Sequence, residues 1–368
     1  MDKSERLGMS KVGKLIHAYG LPRLIITIAL VILFALAPAA GSDLATQFTN
    51  VINRFSWNAV LVLAMVPMVH SGCGLNFGLP LGILAGLLGG TLAINLGFTG
   101  GLCFLMAILI ATPFALFFGV GYGALLNRIK GGEMMVATYV GFSSVSFMCM
   151  AWLFLPYTHP AIVMAYTGVG LQQVFNLEPF YGNVLANFLK IDFRNFFGHD
   201  LGINLVIPTG TLLFFAVLAL GMWAFLHTRT GTAMTAVGSN PTFAKASGVN
   251  VDRIRILTVI LSTWLGAVGI LVYQQGFGFL QAYNAPQFMA LPAVSAILIG
   301  GASVNKASIS NVVIGTFLFQ GLVTMTPTII NNMLNVGDMS EVIRVIVSQG
   351  MILYALTRTM REIREVAK

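Results

Sequence analysis

Residues 227–255 read HTRTGTAMTAVGSNPTFAKASGVNVDRIR, a polar and basic stretch carrying Arg229, Lys245, Arg253 and Arg255. Long apolar runs at about 205–227 and 255–277 flank it. Each run is close to the roughly 20 residues that a helix needs to cross a bilayer. Two spans joined by a basic, cap-bearing loop place that loop on a cytoplasmic surface. Within it, Asn240 suits an N-cap, Pro241 the first helical position and Gly248 the residue past the end. The pattern predicts a short helix over 241–247. A helix of that length is unstable alone in water, so it needs a surface to pack on.

The rest of the chain has the same character. Its 368 residues are 57% hydrophobic and 9% charged, against about 25% charge in soluble domains. We read an all-α polytopic membrane protein, one transmembrane domain over 1–368, with about ten spans. They fall at about 22–41, 57–72, 78–97, 102–126, 134–155, 205–227, 255–277, 288–301, 308–326 and 341–357. Two of them, 57–72 and 288–301, are short, and the region 70–80 reads as a broken helix. The first apolar run follows a basic segment without a small-residue cleavage site, so it reads as a retained span.

Alternating the spans from an inside N-terminus puts most Lys and Arg on one side. Only Arg54, Lys190, Arg194 and Arg344 fall on the other. This bias implies cytoplasmic termini, with 1–21 and 358–368 as cytoplasmic segments and 228–254 as a cytoplasmic loop. It also accounts for the net charge of +8 without a nucleic-acid partner. The long opposite loop, 156–204, reads as one or two short interfacial helices, either a packed cap or a docking platform.

Gly82, Gly86 and Gly90 recur every four residues and share one helix face, as close helix packing in lipid requires. No acidic residue falls in the interior of a predicted span, which argues against a proton or sodium relay. No GxxxxGK[ST], HExxH or GxSxG occurs, so the chain does not read as an enzyme and carries no ATP site or other cofactor of its own. Cys73, Cys103 and Cys149 lack metal-ligand spacing. Any energy for active transport must come from another chain.

Polar residues within spans are candidates for a translocation pathway. His70, Ser71 and Asn76 flank the break, where helix ends either line a path or form a kink satisfied by neighbours. Ser143 and Ser144 lie in the fifth span, where hydroxyls often bond back to their own helix. Trp264, Tyr273, Gln274 and Gln275 lie in the seventh, as sugar-binding groups or an interfacial belt.

The loop resembles that of the permeases of bacterial ABC importers of the ribose/simple-sugar group. These share a superfamily with branched-chain amino acid and nucleoside permeases. The matching loop positions are Gly231, Gly238, Asn240, Ala244, Gly248 and Val249. LPAVSAILIGGASV at 291–304 and SNVVIGTFLFQGL at 310–322 match further at Gly300, Gly301, Ser303, Gly315 and Thr316. The resemblance implies that 241–247, with Phe243 and Lys245, is a coupling helix docking on ATP-binding-cassette ATPase subunits. It also implies an extracytoplasmic solute-binding protein, a second permease chain in a homo- or heterodimer, and the bacterial inner membrane. SGCGLNFG at Ser71–Gly78 departs from the ribose type by lacking its aspartate and is closer to the amino acid and nucleoside permeases. Sugars, nucleosides and branched-chain amino acids therefore stay open as solutes. A gradient-driven carrier or channel is the alternative of another class.

Overall fold

The computed structural model describes residues 21–129, 131–164, 168–193, 204–303, 306–334 and 339–366. The expected N-terminal segment lies outside them up to residue 20. So do Lys130 and Arg194.

The chain is mainly helical. The first half runs α1 (Leu21–Leu36), α2 (Leu44–Leu63), α3 (Met65–His70), α4 (Leu79–Asn95), α5 (Gly100–Arg128) and α6 (Glu133–Phe154). Strand β1 (Val174–Asn176), α7 (Val184–Asn187), β2 (Ile191–Asp192) and β3 (Val206–Ile207) follow. The second half holds α8 (Thr209–Leu226), α9 (Arg229–Ser239), α10 (Pro241–Ala246), α11 (Val251–Phe277), β4 (Phe279–Gln281), α12 (Ala285–Phe288), α13 (Ala290–Ile299), α14 (Ile309–Leu334) and α15 (Ser340–Val366). Among the described residues, six helices are long and apolar enough to cross a membrane, and four shorter apolar helices accompany them.

Helix α11 is the hub. It packs on α4, α5 and α2, while α14 gathers α2, α13, α15 and α1 around itself. The glycine face makes the first contact close. A Cβ on Gly82 would lie 2.5 Å from the Thr263 carbonyl oxygen, and one on Gly86 2.4 Å from that of Ala267. Gly90 meets the Tyr181 hydroxyl from the 156–204 segment instead.

Several boundaries differ from the sequence reading. The expected short span 57–72 is the end of a 27-residue apolar helical run, Leu44–His70. Asp43 starts it by accepting from the backbone N–H groups of Ala45 and Thr46. Arg54, placed in a loop by hydropathy, is therefore inside helix α2. The other short span is short: α13 has ten residues, preceded by the single turn of α12. Helix α15 runs on to Val366, past the expected end of the last span at 357 and through most of the 358–368 segment.

The fold is also not purely helical. β1 pairs antiparallel with β4, with Phe175 opposite Leu280, and β2 pairs with β3. The described part of 156–204 holds one four-residue helix and these ribbons. It buries Ile162, Leu171, Phe175, Leu177 and Tyr181 in the core. Burial pushes the Tyr157 hydroxyl up to about 12, and it stays paired with Thr91 at 2.9 Å. This segment is a packed cap tied to the end of α11.

Candidate functional site

Three regions carry the polar chemistry: the loop at one end of α11, the break beside it, and a cavity at the other end.

In the loop, Asn240 Oδ1 accepts the Phe243 N–H at 3.0 Å, capping α10. Pro241 takes the first turn, where its missing N–H costs nothing. Gly248 adopts φ +84°, and the Val249 N–H returns to the Ala244 carbonyl at 3.0 Å, closing the helix as a glycine stop does. Ala244 is 1% exposed and faces the protein, whereas Phe243 is 67% exposed. Lys245 also faces outward. Phe243 thus holds an apolar ring on the outside of a one-and-a-half-turn helix.

A second helix, α9, precedes it and was not expected. Thr228 caps it by accepting the Gly231 N–H. Gly231, Met234 and Val237 form its buried face at a spacing of three, the sequence signal that would have revealed it. A Cβ on Gly231 would run into the Phe225 and Leu226 backbone. One on Gly238 would sit 2.2 Å from the His70 carbonyl oxygen. Backbone thus touches backbone between α9 and the break.

The break spans Ser71–Gly78. Gly72 and Gly74 take φ values of +70° and +77°, which side chains rarely allow. Ser71 is buried, and its hydroxyl donates to the Met68 carbonyl at 3.1 Å. His70 Nδ1 lies 3.5 Å from the Thr235 hydroxyl of α9. Asn76 is fully engaged. Its Nδ2 donates to Ser262 Oγ at 2.8 Å, its Oδ1 accepts from Tyr122 at 3.3 Å, and Ser262 donates on to the Ala64 carbonyl at 2.5 Å. This polar knot ties the break and the end of α2 to α5 and α11. Nearby, Arg255 pairs with Glu133 at 3.2 Å, linking the starts of α11 and α6.

The remaining candidates separate. Ser143 is exposed on α6, and Ser144 bonds back to the Gly141 carbonyl at 2.8 Å. Trp264 Nε1 donates to Thr112 Oγ1 at 3.1 Å. Gln275 Oε1 accepts the Leu185 N–H at 3.1 Å and so anchors the cap. Gln274 is fully buried, and neither of its side-chain polar atoms has a hydrogen-bond partner.

Tyr273 alone of that trio faces open space. It stacks on Phe277 with centroids 5.7 Å apart and a 19° interplanar angle. Both line a cavity of about 470 Å³ with Arg54, Asn58, Gln320 and Arg344. Gln281 of β4, Asn284 of the connection and Gln287 of α12 add to its polar wall. Tyr273 is 22 residues along α11 from Val251, about 33 Å at 1.5 Å per residue. The cavity therefore opens at the end away from α10. Arg54 and Arg344 were not among the expected site residues: hydropathy alone left Arg54 in a loop and Arg344 at the start of the last expected span. The i,i+4 spacing of Asn50, Arg54 and Asn58 was the available signal.

A model of a family described as "Branched-chain amino acid transport system / permease component" matches residues 24–356. Among curated proteins, a probable ABC transporter permease protein of Escherichia coli (strain K12) is 32% identical over 127 residues, covering 32% of this chain and 37% of its own length. The xylose transport system permease protein of the same strain is 29% identical over 118 residues, 32% of this chain and 30% of its own. The ribose import permease protein of Haemophilus influenzae is 26% identical over 157 residues, 42% and 46% respectively. The matched stretch thus spans about a third to a half of each relative. No solved structure gives a significant match.

Proposed function

The chain belongs to the family of branched-chain amino acid transport system permease components, and on that premise we propose that it is the membrane subunit of an ATP-binding-cassette importer. Its solute is a small polar metabolite of the sugar class, the class named for the xylose and ribose permeases it resembles. It sits in the bacterial inner membrane as a multi-pass protein. ATP is hydrolysed on partner ATPase subunits, an extracytoplasmic binding protein delivers the solute, and a second permease chain completes the pathway. Both termini and the 228–254 loop face the cytoplasm, in line with the Lys and Arg bias.

One observation carries the reading: the capped helix Pro241–Ala246 with Phe243 held outward. A partner that moves α10 also moves α9, which packs on α3 and α11. The Gly72–Gly238 backbone contact passes that motion to the break, and α11 carries it to the far cavity. Rigid helices shifting between two packings are a usual means of alternating access.

The test is complex formation with a cognate ATPase. Phe243→Asp should abolish co-elution of the detergent-solubilised complex, and Lys245→Glu should weaken it. Retention of an intact complex by Phe243→Asp would remove α10 as the docking element.

A further inference from the structure

We propose that the far cavity recognises a negatively charged group on the solute, a carboxylate or a phosphate, through Arg54 and Arg344. This rests on the importer reading for the word solute, but its chemistry stands on the cavity alone.

Both arginines come from helices in the apolar bundle. Arg54 lies in the interior of α2, and Arg344 lies in the first turns of α15. A charge within an apolar span is costly and is kept where it faces water or a partner. Here the two converge: both line the 470 Å³ cavity, and both also line a neighbouring one of about 490 Å³. With Phe277 and Val323 they line both spaces. Each also makes an interaction within the protein. A guanidinium carries five donors, so an existing contact leaves others for a ligand. The planar fork matches a carboxylate or phosphate in two parallel hydrogen bonds.

The rest of the wall suits the neutral part of such a solute. Asn58 lies one turn after Arg54 on the same face and is 8% exposed, and Gln320 is 6% exposed. The Tyr273–Phe277 stack offers a flat apolar surface beside these amides, the pairing that a sugar ring with one apolar face uses. The volume lies within the range of small-molecule pockets, roughly 300–1,000 Å³. Among the described lining residues of both cavities the two charged side chains are positive and none is acidic. A site for neutral sugars alone needs neither charge.

The experiment compares D-galacturonate, inorganic phosphate and D-galactose as probes on the full chain in nanodiscs. Intrinsic fluorescence is the readout, with Trp57 lining the neighbouring cavity as reporter. Either anion should bind at least about tenfold more tightly than galactose, the factor of one charge-assisted hydrogen bond. Raising salt should shrink the difference. The pair Arg54→Gln and Arg344→Gln should erase it, while the corresponding Lys pair should keep part of it. Equal binding of all three probes, or a preference that survives the double Gln variant, overturns the proposal. The readout needs no ATPase. An anion preference without ATP coupling would sink the importer reading alone, and the reverse result would sink this proposal alone.

Discussion

Asn240 and Asn76 are both asparagines placed just before a helix, and they do different things. Asn240 is exposed and spends its oxygen on the Phe243 N–H. Replacing it with Ala should cost the local helix about 1 kcal/mol. ATPase stimulation by the complex should fall severalfold, while the melting temperature of the spans stays put. Asn76 is buried, and both ends of its amide are used. Asn76→Ala leaves Tyr122 without that acceptor in a closed space, so it should destabilise the bundle by about 1–3 kcal/mol. A thermal scan in detergent would show a lowered midpoint. At the start of α2, the Thr46 hydroxyl, with the Thr46 and Ala45 amides, holds the Asp43 carboxyl below its ordinary value. A depressed folded value means the cap stabilises above the unfolded pKa and is lost as pH falls through the folded one. The midpoint should therefore drop on acidification only below about pH 4, and Asp43→Asn should flatten that drop.

At the scale of elements, legibility followed locality. The α10 helix could be read because Asn240, Pro241 and Gly248 are adjacent in sequence to what they specify. The start of α2 could not, because Asn50, Asn53 and Arg54 interrupt the apolar run. They look like a loop until the cavities they line are known. Strand β1 finds its partner β4 about a hundred residues later, which no local pattern encodes. Helix α9 was hidden by its glycines, which weaken propensity. They are there because its neighbours leave no room for a Cβ. The glycine face of α4 tests the packing directly. Gly86→Leu must push α4 off α11, where a Cβ already lies 2.4 Å from a carbonyl oxygen. It should abolish a monodisperse elution peak. Gly221→Ala on α8, with nothing within 4 Å of the new methyl, should leave the peak unchanged.

For the whole molecule, the two ends of α11 divide the work. One end carries the docking helix and the glycine contact to the break. The other, about 33 Å away, carries the arginine-lined cavity and the packed cap. In the proposed importer, driving force enters at the first end and the solute is met at the second. The sequence alone pointed to the first end and to an external energy source, since it holds no phosphate loop and no acid in the interior of a predicted span. The second end depended on contacts among six separate helices.

The central claim is that this chain moves solute only when a partner ATPase drives α10. The direct measurement is uptake of radiolabelled solute into proteoliposomes holding the chain, its cognate ATPase and its binding protein, with and without ATP. The account predicts ATP-dependent uptake that Phe243→Asp abolishes while the spans remain folded. Uptake by the chain alone without ATP, or undiminished uptake with Phe243→Asp, would contradict it.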